Sequence, residues 1–285
     1  MLEGDSFQKF LLDECHIRGE IVRLSKSFQE VTANKDYPQI PRALLAQATC
    51  ASVLMTGTLK FEGRLAVHAR GEGPVSLLMA EATDQKSFRS IVHYEDALPD
   101  SNDLGDLLGK AQLAITIEPD KGQRYQGIVP LERSTLAECL AHYFDLSEQL
   151  DTHFMFASDD EYCYGLMLQK LPDYKYIDDQ DAWDRVRQLA ETLSFEEVKQ
   201  NDNATILHRL YHEESVQVYE SEPVRFECTC SEERSLNSLY SLGKDEALSI
   251  LDEEPVIGID CQFCGAHYEF DRERVNELFN VGKPH

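Results

Sequence analysis

Across the first 177 positions, apolar and polar residues alternate in short runs bounded by Gly, Pro, Asp and Asn, a period of two that predicts half-buried strands. "CHIRGEIVRLS" (15–25) is one such run. "RLAVHAR", "VSLLMAEA", "SFRSIVHY", "AQLAITIEP" and "RYQGIVPLE" follow it. Two stretches depart from the pattern. The uncharged run Ala43 to Leu59, within a helix beginning at Pro41, is punctuated by Gln47, Thr49, Ser52, Thr56 and Thr58. It is short for a bilayer span, so a buried core helix is expected. A second helix runs from Ser134 to about Gln149, where "STLAE" offers Ser134 or Thr135 as a cap and Glu138 in the first turn. These elements predict a mixed α/β domain over 1–177.

The pattern changes at "YIDDQDAWD". From Asp178 to Glu222 there are 12 acids against 4 bases, with no Gly or Pro. Trp183, Val186, Ala190 and Leu193 recur at helical spacing, as do Ile206, Leu207, Leu210 and Tyr211. Residues 178–224 thus read as a helical, acid-rich connector with a modest apolar face. An amphipathic helix pair packed on the first domain satisfies that pattern; so does a segment whose narrow stripe docks only marginally. What remains, 225–285, is too small for a core alone to stabilise it, so a staple is expected. The whole chain therefore reads as α+β.

Length and a hydrophobic content of 42% fit about two folded units in 285 residues. The formal charge of −25 argues against nucleic acid as a partner, because phosphate binding needs concentrated Lys and Arg. The start, "MLEGDSFQKFLLDE", lacks the basic and apolar regions of a secretory signal. A cytoplasmic protein without a membrane partner is expected. In that compartment paired cysteines point to metal or redox chemistry more than to structural disulfides.

The staple is legible near the end of the chain. Cys228 and Cys230 form C-x-C, Cys261 and Cys264 form C-x-x-C, and 30 residues separate the pairs. In an extended segment residues i and i+2 project to one side, and a tight turn brings a C-x-x-C pair together. Gly265 follows where a knuckle needs positive φ. Four soft thiolates suit tetrahedral Zn²⁺, with an iron site as the runner-up. The intervening "SEERSLNSLYSLGKDEALSILDEEP" predicts two short helices broken at Gly243, and His267 is expected to be a non-ligand. Such a centre is either a purely structural zinc module or a switch, since oxidising the ligands removes the free energy that folds it. A thiol-disulfide oxidoreductase using Cys261 and Cys264 is the alternative; against it, "GAHYEF" predicts a strand after the motif, where a thioredoxin-like site has a helix.

The remaining thiols, Cys15, Cys50, Cys139 and Cys163, lie in apolar or amphipathic contexts and read as small buried hydrophobes. Adjacent Cys15 and His16 point to opposite faces of a strand and make no nucleophile pair. "ARGEGPV" (69–75) predicts a hairpin turn, and His208 and His212 with Glu213 and Glu214 a solvated helix end. No phosphate-binding loop, nucleophile elbow or H-E-x-x-H occurs, so the sequence offers little toward an active site.

"VRFECTCSEER" followed by "VIGIDCQFCGAHYEFD" resembles the C-terminal zinc module of the 33 kDa chaperonin family, redox-regulated bacterial holdases. "RLYHEE", "TLKFEGRLAVHARGEGPVSLLMAEA", "RYQGIVPLE" and "TLAECLAHYFDLSEQL" extend the resemblance over essentially the whole chain. It implies that Cys228, Cys230, Cys261 and Cys264 ligate zinc in a reduced, poorly active form. It further implies that oxidation pairs Cys261 with Cys264 and Cys228 with Cys230, releases zinc and unfolds the module. The connector then becomes disordered, the protein forms a homodimer, and unfolded client proteins are held without ATP.

Overall fold

A computed structural model describes residues 4–33, 35–60, 62–172 and 179–281 of the chain. Contacts divide it into two compact units, Met1–Glu227 and Cys228–His285. The first unit begins with the antiparallel pair β1 (Ser6–Leu12) and β2 (Ile17–Leu24), then α1 (Lys26–Thr32) and the long α2 (Gln39–Thr56). A meander follows: β3 (Gly63–Gly71), β4 (Val75–Thr83) and β5 (Ser87–Tyr94), then α3 (Leu104–Leu108), β6 (Ala111–Pro119) and β7 (Tyr125–Pro130). Next come α4 (Leu136–Ser147), β8 (Thr152–Ser158) and β9 (Cys163–Lys170). The expected strands and both expected helices are present, and the chain is a mixture of helix and sheet as expected.

After β9 the described chain resumes with α5 (Ala182–Glu191), α6 (Phe195–Gln200) and α7 (Asn203–Tyr211), followed by the short strands β10 (Val216–Val218), β11 (Glu222–Pro223) and β12 (Arg225–Phe226). The connector expected over 178–224 is therefore helical only to Tyr211; beyond it the chain is extended. Residues 176–178, where the composition shift begins, lie outside the described residues.

Two sheets result. The first has the order β10-β1-β2-β9-β8, with β11 also on the outer edge of β1; the second runs β12-β5-β4-β3-β6-β7. Helix α2 packs against strands of both and is buried nearly all round. Its hydroxyls close on neighbouring groups: Thr49 Oγ1 lies 2.7 Å from Leu45 O and from Ser90 Oγ, and Ser52 and Thr56 bond back to Thr49 O and Val53 O. The uncharged run from Ala43 onward, interrupted by Ser and Thr, can thus sit in a core with its hydroxyls bonded. The expected hairpin turn joins β3 to β4. A side chain at its Gly73 would come within 2.7 Å of the backbone at Leu107 and Gly109, so only glycine fits there.

Sheet one is apolar on both faces. Phe7, Val22, Leu24, Cys163 and Met167 face the α2 core, while Phe10, Leu12, Ile17, Ile21, Tyr164, Leu166 and Leu168 form a second cluster with α5, α6 and α7. In that cluster Val186, Ala190, Ile206, Leu207 and Tyr211 are buried; Trp183, Leu193 and Leu210 pack at its rim. The apolar stripes of the connector are therefore spent on sheet one.

The second unit holds α8 (Glu232–Leu242), α9 (Lys244–Glu253), the hairpin β13 (Ile257–Asp260) and β14 (His267–Phe270), and α10 (Arg272–Val281). The break between α8 and α9 falls at Gly243, whose φ is +101°, as the spacing predicts. Among the described residues its buried core is eight residues, from Leu236 to Leu278.

Candidate metal and redox centre

Cys228, Thr229 and Cys230 lead directly into α8, whose cap is Ser231, its hydroxyl accepting from Arg234 N at 3.2 Å. The second pair sits in the turn between β13 and β14. That turn is closed by Cys261 N to Ala266 O at 2.8 Å and Gly265 N to Cys261 O at 2.7 Å. Gly265 has φ +72°, the left-handed conformation that the knuckle needs and that a side chain disfavours.

These elements bring all four sulfurs together. Cys228, Cys230, Cys261 and Cys264 have their Sγ atoms within 4.8 Å of one another, the one such grouping of three or more His, Cys, Asp or Glu among the described residues. Cys228 Sγ lies 3.6 Å from Cys261 Sγ, and Cys230 Sγ 3.4 Å from Cys264 Sγ. A tetrahedron with metal–sulfur bonds of ~2.3 Å has edges of roughly 3.8 Å, so the donor set fits one Zn²⁺ with little adjustment. All four thiols are half-buried.

The electrostatics are uneven. Burial works against ionisation of Cys261, yet the backbone N–H groups of Cys264 and Phe263 and the neighbouring thiols Cys228 and Cys264 bring it down to about 7. Burial pushes Cys228 up, helped by its contacts with the other thiols, and Cys264 rises mainly by burial. One thiolate forms readily in this cluster; four together require a cation. The Tyr268 hydroxyl donates to Cys230 Sγ at 3.2 Å. Sequence reasoning missed this residue; the alternation of β14 carries it, since Tyr268 is two positions before buried Phe270.

The other sequence candidates fall elsewhere. His267 bonds Asp260 at 2.6 Å and Glu269 at 3.2 Å and stays half-exposed on the hairpin surface. Cys15, Cys50, Cys139 and Cys163 are buried. The Cys15 thiol donates to Glu214 at 3.2 Å; burial and that carboxylate push it up to about 12, so it is no nucleophile. His208 and His212 are exposed, with rings 6.2 Å apart at the end of α7. Among the described residues no helix is long and apolar enough to cross a membrane.

A two-sheet domain wrapped round a central helix, joined to a small module on four converging cysteines, defines the class of protein. Residues 5–271 match the family model described as Hsp33 protein, and the chain belongs to that family. Among its relatives, the 33 kDa chaperonin of Hahella chejuensis is 46% identical over 281 residues, covering 98% of each chain. That of Ectopseudomonas mendocina is 44% identical, over 97% of this chain and 95% of the other. A crystal structure of the 33 kDa chaperonin (heat shock protein 33 homolog) of Thermotoga maritima shares the fold with a TM-score of 0.86 at 22% identity, covering 98% of this chain and 99% of that one.

Proposed function

We propose that this chain is a redox-regulated, ATP-independent holdase and not an enzyme. In this reading Cys228, Cys230, Cys261 and Cys264 hold zinc in the reduced cytosol and keep the protein inactive. The observation that carries it is the convergence of the four sulfurs on one metal-sized site in a module with a core of only eight residues. Bound there, zinc supplies roughly 10–16 kcal/mol toward folding such a module.

One peroxide takes two electrons from each thiolate pair and, with two protons from solvent, leaves as two waters while the zinc is released. The pairs close as Cys228–Cys230 and Cys261–Cys264. This is the pairing that the family resemblance implies; the short sulfur contacts of the folded module are Cys228–Cys261 at 3.6 Å and Cys230–Cys264 at 3.4 Å. Oxidation consumes the four ligands, and eight core residues cannot hold the module alone. The helical segment then loses support, the apolar outer face of sheet one opens to unfolding clients, and two copies associate. The charge of −25 keeps the opened protein soluble. A catalytic oxidoreductase fits less well, because Cys261 and Cys264 lie in a turn between strands and not at the start of a helix.

The test treats the reduced, zinc-loaded protein with peroxide at raised temperature, following metal release with a chromogenic chelator and aggregation of a heat-unfolding client by light scattering. Stoichiometric release accompanied by client protection is expected. Release without protection, or protection with the metal still bound, overturns the reading.

A further inference from the structure

The residues between α7 and Cys228 form a strap, itself bound to the first unit in the manner of an extended peptide. Tyr219 N donates to Lys9 O at 3.0 Å on the outer edge of β1, and Val224 N to Asp5 O at 3.0 Å just before that strand. The strap then crosses to sheet two, where Arg225 N donates to Lys86 O at 3.1 Å and Glu227 N to Phe88 O at 2.9 Å. β10 and β11 pair antiparallel with β1, and β12 pairs parallel with β5. Between the sheets Val224 drops into the main core, 5% exposed, and Phe226 packs edge-on against Phe88 at 6.2 Å. Glu222 faces the buried Lys86 ammonium at 3.9 Å. Pro223, which has no N–H to offer, is placed where an outer strand tolerates it.

The strap is remote in sequence from the strands it joins: Phe10 pairs with Val218 across more than two hundred positions. Its strands are two or three residues long, and most of its side chains are exposed. Four backbone acceptors, an apolar slot and an aromatic shelf therefore stand behind a segment that ends one residue before the first cysteine of the switch.

We propose that the strap is an internal stand-in for client. Once the cysteine module unfolds and the strap leaves, the edges of β1 and β5 take an extended segment of an unfolding protein by strand addition, with a β-branched residue in the Val224 slot and an aromatic two positions later on Phe88. This rests on the holdase reading and adds where and how the client is gripped. Because the grip is mainly backbone, it accepts many sequences, as a holdase requires.

The test uses a fluorescent peptide of residues 215–227, natural protein and a heat-unfolding client. The peptide is expected to bind the oxidised protein, to bind the reduced protein far more weakly, and to suppress client protection in proportion to its occupancy. A peptide N-methylated at the Arg225 and Glu227 nitrogens loses two donors, and affinity is expected to fall about tenfold or more. The Val224→Asp peptide is expected to fail likewise. If the oxidised protein protects clients but the peptide does not bind, or its N-methylated form binds equally, strand addition is overturned and the holdase reading stands. If the peptide dissociates dimers without altering protection, the strap is exchanged between two copies and the inference fails. If the oxidised protein protects nothing, both fail together.

Discussion

Arg23, 1% exposed near the C-terminal end of β2, donates through Nε to the side-chain oxygen of Asn203, the first residue of α7 and itself fully buried. Its Nη1 reaches Val198 O in α6 at 3.1 Å and the Tyr162 hydroxyl at 3.3 Å. A buried guanidinium is costly unless it is bonded, and the bonds from Nε and Nη1 to Asn203 and Val198 tie the helical segment to sheet one more specifically than its apolar stripe can.

Replacing that tie by Arg23→Leu leaves Asn203 and the Val198 carbonyl without their donor in a dry interface. The docking of α5–α7 should weaken by roughly 2–4 kcal/mol. Hydrogen exchange would then accelerate in residues 182–211 and stay unchanged in β3–β6. Unaltered protection of α7 would show that apolar packing alone holds the segment.

Tyr268→Phe removes the hydroxyl that donates to Cys230 Sγ. Partners of this kind orient a thiolate and moderate its charge, and losing one costs about tenfold in metal affinity. Competition with a colorimetric chelator should show that loss, together with faster zinc release under peroxide. Equal affinity in the variant would reduce Tyr268 to a packing residue.

Glu20 lies on the α2 side of β2, 2% exposed, with Arg18 Nε at 3.9 Å and Lys9 and Lys86 nearby. Burial outweighs these cations and raises it from 4.5 to about 7. The folded protein therefore keeps a proton that the unfolded chain releases, so this contribution is fully present below pH 4.5 and is lost as pH rises through about 7. The loss amounts to roughly 3 kcal/mol. Urea midpoints at pH 5.5 and 7.5 should differ in the natural protein and differ less in Glu20→Gln. The same pH slope in both would place the effect in the general negative charge of the chain.

The eight thiols should fall into two classes under alkylation. In reduced, chelator-treated protein Cys228, Cys230, Cys261 and Cys264 are expected to react, while Cys15, Cys50, Cys139 and Cys163, none more than 3% exposed, react only in denaturant. Mass spectrometry of digests reads this directly. Modification of Cys50 or Cys163 at the fast rate would mean that the packing of α2 on β9 opens readily.

The sequence announced its elements wherever one residue pattern had one environment. β4 alternates between buried and partly exposed positions along most of its length, and the runs of β4, β5 and β6 were legible to within a residue. Thr135 and Glu138 form the capping box that "STLAE" suggested. β9, "CYGLMLQK", carries no period, because it is buried on both faces between α2 and the connector helices. The strap was hidden for another reason: two-residue strands have no period at all, and only the distant edges of β1 and β5 call them into being. In the centre, the four cysteines and Gly265 were evident from spacing, whereas Tyr268 there, and Arg23 in the first unit, act through partners tens to hundreds of positions away.

The pairing of Phe10 with Val218 also sets a schedule for synthesis. A ribosome adding about 5–20 residues per second needs roughly 10–40 s to pass from the first hairpin to the strand that closes it. For that interval the outer edge of β1 has no mate, and a polysome carrying many such nascent chains holds many identical open edges side by side. Lys9, half-buried on that strand beside Phe7, is the kind of charge that discourages them from pairing with one another.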